Sequence, residues 1–221
     1  MPQYIWLIAA LVVALSAGCA SRAPIALAPD AAAKLSGRSV VGVYGSPPSF
    51  IAYTPGRASI PFVGIAAIIS EGNQLVTENA IADPAIRVSQ LLAAALARQL
   101  NGQATKVADH LAPGEAVTTL RTQFPSADLL IDVRTEGWGY INYASNFAKY
   151  QSSFGAMVRL IDMKSGAVLA EGPCSGAAGN VDTAATYDEL LANGSAKLKA
   201  ELEQKGDECI EGIRRGIFRL N

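Results

Sequence analysis

The clearest periodic stretch of the chain lies between Asp83 and Gly102. Val88, Leu91, Leu92, Ala95, Leu96 and Leu100 form one apolar stripe at helical spacing, while Arg87, Gln90 and Arg98 lie opposite. Asp83 suits the N-cap, Pro84 the first helical position and Asn101-Gly102 the stop, so the pattern predicts a helix between them. A second stripe, Tyr187, Leu191, Leu198, Leu202, Cys209, Ile213 and Ile217, steps by fours and sevens. It predicts a long C-terminal helix, weakened or bent at Gly194 and Gly206. Gly114 to Phe124 predicts a shorter helix, ended by Pro125.

Other segments alternate with the period of a strand. Ser39 to Tyr44 is short and β-branched and predicts the first strand, broken by Gly45-Ser46-Pro47-Pro48. Ser49 to Ile60 reads as a loop, and Ala104 to Ala108 as a short strand. In Ala127 to Tyr140, Leu129, Ile131 and Val133 alternate with Leu130, Asp132 and Arg134. Phe154 to Met163 alternates as well, and Lys164-Ser165-Gly166 turns the chain into Ala167 to Glu171, which predicts a hairpin. Gly172 to Thr183 reads as a Gly-rich loop containing Cys174. The apolar run Phe62 to Ile69 fits a buried strand or a close-packed helix running on to Glu78, since periodicity does not separate the two. Core burial is the simpler reading of it, and a surface meeting lipid or a second copy is the other. Strands and helices in this order predict an α/β fold: a single mixed β-sheet of about five strands with helices packed on it.

The N-terminus changes the picture of where this fold works. Ile5 to Ala17 is an apolar run broken only by Ser16, the length of a signal-peptide core and too short for a comfortable membrane span. It ends in Leu15-Ser16-Ala17-Gly18-Cys19. Residues 20–38 are rich in Ala, Pro and Ser and read as a flexible tether. The chain therefore divides into a signal peptide (1–18), a tether (19–38) and an α/β domain (39–221).

Composition then excludes some functions. Half of the residues are hydrophobic, enough for a real core, and the net charge is −1. Charges are scattered singly, which argues against nucleic acid. The densest basic group, Arg214, Arg215 and Arg219, sits where cations complement a helix C-terminus. The chain has 1 His, His110, so neither a catalytic triad nor a metal centre has its ligands. Asp128 and Asp132 share a face four residues apart, the one pairing that offers carboxylate chemistry, yet nothing in the sequence places them in a cleft. The expectation is a protein without catalytic residues, metal or soluble cofactor. Cys174 and Cys209 remain after Cys19, and in an oxidising compartment they are expected to pair; the other reading is two buried thiols.

The best surface candidate is aromatic. Trp138, Tyr140, Tyr143, Phe147, Tyr150 and Phe154 cluster in one segment of a chain with 2 Trp, 7 Tyr and 6 Phe. Aromatic side chains interleaved with Asn142, Ser145 and Asn146 make good contact chemistry for a protein or a glycan. The same residues also suit a long hairpin packed on the core.

Leu15 to Cys19 resembles the bacterial lipobox, although Ser16 stands where that motif prefers Leu and the first four residues carry no Lys or Arg. The resemblance implies a diacylglyceryl and an N-acyl lipid on Cys19, anchorage without a transmembrane helix, and a periplasmic domain. Ala20 after the cysteine, where an Asp would imply retention in the inner membrane, implies the outer membrane. The strand Ala-Asp-Leu-Leu-Ile-Asp-Val at residues 127–133 and the hairpin at residues 158–170 resemble a group of envelope lipoproteins. That group includes the curli export lipoprotein, the lipoprotein activators of peptidoglycan synthases and the N-terminal domain of the Tol translocation protein. The resemblance implies a non-enzymatic adaptor that binds an envelope partner or self-associates.

Overall fold

The structure, a computed structural model, describes residues 23–58, 63–107, 109–177 and 179–220. Its centre is a six-stranded mixed sheet in the order β1 (Val40–Tyr44), β3 (Leu129–Tyr143), β4 (Asn146–Asp162), β5 (Val168–Ser175). Two short strands extend its rims: β2 (Ile51–Ala52) pairs with β3, and β6 (Ala185–Thr186) with β4. β1 and β2 run parallel to β3, and the remaining pairs are antiparallel. The expected mixed sheet is present.

Alternation along β3 divides the core. Leu129, Ile131 and Val133 face a large layer of helices, while Leu130 faces a smaller one. The helices on the larger side are α1 (Ala31–Lys34), α3 (Val63–Asn79), α4 (Pro84–Gln99) and α6 (Tyr187–Gly212), with α2 (Pro55–Ala58) leading into α3. A π-helical turn, Ile213–Ile217, continues α6. On the smaller side, α5 (Val117–Gln123) packs Leu120 and its C-cap Phe124 against Val41, Val43, Leu130 and Ile161. This cover ends halfway up the sheet.

α4 forms where its local signals place it. The Asp83 carboxylate accepts from the Ala85 N–H at 3.0 Å, and Asn101 takes a positive φ of 51° just past the end. α4 lies very close to β1: a Cβ on Gly42 would sit 2.2 Å from the Ser89 carbonyl oxygen. Gly42→Ala therefore forces strand and helix apart and is expected to cost about 1 to 3 kcal/mol in denaturant unfolding. A loss indistinguishable from zero would mean that α4 slides freely and the close approach is unimportant.

Several expectations need correction. Residues 25–38 are not a tether: Ile25 pairs with Glu171, and Leu27, Ala31 and Leu35 are buried in the main core, so the folded domain includes residues from Ile25 onward and does not start at Ser39; residues 19–22 lie outside the described residues. Ser49 to Ile60, described as far as residue 58, contains β2 and α2, with Phe50 fully buried. Residues 104–107 make one bridge, Ala104 to Val40, in place of the expected strand, and Ala108 lies outside the described residues. Gly172 to Ser175 belongs to β5, so Cys174 lies on a strand. The run from Phe62 to Ile69 is helical from Val63 onward, with Ile68 buried and Ile65 67% exposed; Phe62 lies outside the described residues. α6 breaks at Asn193, Gly194 and Ser195, all at positive φ, as its glycine suggested. At Gly206 the helix continues, and the missing side chain lets Pro84 approach to 3.3 Å of where a Cβ would stand.

Candidate interaction surface at the hairpin end of the sheet

Of the two readings of the aromatic segment, the long hairpin packed on the core is the one the structure has. β3 and β4 run through it as one long hairpin that turns at Ala144 and Ser145. Trp138, Tyr140, Tyr150 and Phe154 are buried (3–6% exposed), so they are core residues and not partner contacts. Phe50 stacks edge-on against Trp138 with centroids 4.9 Å apart, and Tyr140 meets Tyr150 at 5.9 Å and Tyr187 at 6.2 Å. The Trp138 indole N–H donates to the Pro48 carbonyl at 2.9 Å. Burial, with Tyr187 alongside, pushes the Tyr140 hydroxyl far above its usual range, so it stays neutral. Of the named contact residues, Tyr143 is half-buried and Phe147, near the tip, is 64% exposed.

The open surface lies on the other side of the same hairpin, beyond the reach of α5. Gly137, Gly139, Ile141, Gln151, Ser153 and Gly155 present this face, with Ile51 of β2 beside them. Ile51 and Ile141 are 39% and 41% exposed, and no residue lining this shallow face is charged. Glycine at 139 is required by β2, because a Cβ there would meet the Ile51 carbonyl oxygen at 2.2 Å. The sequence signal for this face was the spacing of small residues, and it is weak. The arrangement offers a flat, largely apolar contact surface.

The two carboxylates considered for chemistry are kept apart in role. Asp132 is fully buried between Arg134 and Arg159. Asp128 ends a turn, where its carboxylate accepts from the Ser39 N–H at 2.9 Å and the Ser39 hydroxyl at 2.6 Å. The Ser39 hydroxyl, then its N–H, holds the Asp128 carboxyl below its ordinary 3.8. A lowered folded value means stability present above the unfolded pKa and lost as pH falls through the folded one. In Ser39→Ala the Asp128 titration is expected to move up toward the ordinary value when followed by NMR. An unmoved titration would remove Ser39 as the cause. His110 lies in a loop with Nδ1 2.6 Å from the Gly42 carbonyl oxygen, while Arg214 and Arg215 both pair with Glu211.

Cys174 and Cys209 are bonded, joining β5 to α6 with Cα atoms 5.0 Å apart. Cys19 lies outside the described residues. Among the described residues no group of three His, Cys, Asp or Glu side chains gathers to hold a metal, and no single helix is long and apolar enough to cross a membrane.

No protein-family model matches the chain, and no curated protein does. Among solved structures it is similar to the PelC dodecamer from Paraburkholderia phytofirmans, at 16% identity over 76% of this chain and 84% of that one, with a TM-score of 0.29. It is also similar to lipoprotein GNA1162 from Neisseria meningitidis, at 12% identity over 62% and 81% with a TM-score of 0.31. A third is the hypothetical protein CT253 from Chlamydia trachomatis, at 8% identity over 80% and 93% with a TM-score of 0.35. At these TM-scores the likenesses carry no argument about what this chain does.

Proposed function

We propose that the protein is a lipoprotein of the outer membrane, anchored through acyl chains on Cys19, whose periplasmic domain binds another envelope component without chemistry of its own. The observation that carries this reading is the Cys174–Cys209 bond. Structural disulfides belong to oxidising compartments, and the apolar segment ending at Cys19 supplies a route to one. Against a hydrolase stands the fate of its two candidate carboxylates: Asp132 is spent on two arginines and Asp128 on a turn.

Crosslinking in cells, capture of the protein and mass spectrometry of what comes with it test the reading, with a Cys19→Ser form for comparison. A specific envelope protein recovered with the anchored form alone is the expected result. Recovery of neither partner nor membrane lipid with the native chain would overturn it. A second reading, a subunit of a homo-oligomeric envelope complex, is favoured by the outward face of α3, where Ile65 is 67% exposed. Light scattering of the full chain in detergent separates the two, since a defined oligomer sinks the simple adaptor.

A further inference from the structure

The N-terminal segment is fastened to the fold closer to Cys19 than its composition suggests. Ile25 and Glu171 exchange both backbone hydrogen bonds, at 2.7 and 2.8 Å, in an antiparallel bridge on the edge of β5. An antiparallel bridge fixes direction: the chain ahead of Ile25 enters from the side on which β5 runs on to Ser175. Leu27 then pins the segment, buried in the core with its N–H on the Ile217 carbonyl at 2.8 Å. Cys19 stands six residues before Ile25, and six residues reach at most about 20 Å. A folded domain of this length is roughly 40 Å across. Acyl chains on Cys19 therefore start within about 20 Å of Ile25, and since residues 23–24 leave the bridge toward the Ser175 end of the sheet, the bilayer lies within reach of that end.

The open sheet face is at the same end. Ser175, Gly176 and Ala177 form its rim, and Ile51 and Ile141 stand out of it. Ile51 is in register with Gly139, so Ile51 and Ile141 are diagonal neighbours on one face, and Gln151 is directly opposite Ile141. Phe147, 64% exposed, sits near the hairpin tip beyond them. The helical side is different in kind, with the exposed Arg87–Asp207 pair on α4 and α6 and with Lys199 and Glu203 beside it. Charged pairs lose hydration against lipid, whereas apolar and small side chains do not.

We propose that this face is a membrane-docking surface, with Ile51, Ile141 and Phe147 resting in the interface of the bilayer that holds the Cys19 lipid. The proposal rests on the anchor reading given above. Docking of this kind fixes the orientation of the domain: β2 and the hairpin point to lipid, and α4 and α6 point to the periplasm.

The test uses the full-length protein in isolated native membranes loaded with a phospholipid that carries a photoreactive acyl chain. After activation, labelled peptides are mapped by mass spectrometry, and the N-terminal peptide is weighed in the same sample. The expected result is an acylated Cys19 with label on residues 51–53 and 137–155. Ile141→Asp, at an exposed site, should cut that label about tenfold by placing a charge against lipid. Ile51→Asp should do the same, whereas Leu91→Asp, 39% exposed on α4, should leave it unchanged. Acylated Cys19 with label confined to the helical side, or with none on the protein, overturns the docking proposal and leaves the anchor standing. Crosslinks between copies through residues 137–155 in place of lipid label would assign the face to a second copy and also overturn it. An unmodified Cys19 overturns the anchor reading itself.

Discussion

Cys174→Ala and Cys209→Ala each lower the unfolding free energy by about 3 to 4 kcal/mol and the melting temperature by roughly 10 °C. The bond closes a loop with a sequence separation of 35 and ties the edge strand β5 to the C-terminal helix. Opening it releases chain entropy in the unfolded state and leaves β5 held by β4 and the Ile25 bridge. Cys209 is 1% exposed in the main core, so its loss also removes packing there, while Cys174 is 9% exposed. Denaturant titrations of both single variants, the double variant and the reduced native chain decide the matter. One bond predicts that all four share the loss of the cross-link and differ only by the packing of the sulfurs removed, so the double variant falls well short of the sum of the singles. A double variant that loses the sum of the singles would mean two independently packed side chains, and the disulfide would drop out of the account. The same experiment bears on location, since a domain that depends on this bond folds poorly in a reducing cytosol.

How far the sequence could be read depended on how local each signal was. α4 was legible because its cap, its first proline and its stop all lie within the helix or no more than three residues outside it. The second partner of Asp83, the Thr135 hydroxyl at 2.8 Å, comes from 52 residues away and left no local trace. The hairpin was half legible. Odd positions 129, 131 and 133 face the main core, but an irregularity between Thr135 and Gly137 shifts the register, and then Trp138 and Tyr140 face it. A pattern that changes phase midway reads as a strand that stops, so the aromatic residues suited a contact surface as well as a long hairpin packed on the core, and the sequence did not separate the two. The N-terminal segment failed for the opposite reason. Leu27, Ala31 and Leu35 recur at helical spacing and are buried, but Ala- and Pro-rich composition suggested a tether. β5 was cut short at Gly172 and Pro173, although Gly172 is there because Ile217 would lie 2.6 Å from a Cβ, and an exposed edge tolerates Pro173. The open sheet face was the least legible, because it is defined by what α5 does not cover.

Asp132→Ala is expected to cost about 3 to 5 kcal/mol, the largest single-residue effect outside the disulfide. Its carboxylate is fully buried on the α5 side of β3, with Oδ1 2.7 Å from Arg134 Nε and Oδ2 accepting from Arg159 Nε at 3.1 Å. One negative charge thus faces two guanidinium groups that are themselves largely buried, at 15% and 14% exposure. Each arginine goes on to hold the strap leading into α5: Arg134 donates to the Gly114 carbonyl at 2.8 Å and Arg159 to the Glu115 carbonyl at 2.7 Å. Alanine leaves both cations without their counter-charge in a site of low polarity, and their repulsion is then relieved only by swinging outward, which lets go of residues 112–115. Unfolding in denaturant reads the global loss, and hydrogen exchange at residues 112–117 reads the local one. Replacing all three, as Asp132→Leu with Arg134→Met and Arg159→Met, removes the uncompensated charge and should recover most of the stability, because a buried ion cluster costs its own desolvation. Even then the strap loses its two arginine donors, so exchange at residues 112–117 should stay fast while global stability returns. Full recovery of both would show that α5 is held by its apolar contacts with Leu130 and Ile161 alone; a single Asp132→Ala loss below about 1 kcal/mol would show that the arginines find water without disturbing the fold.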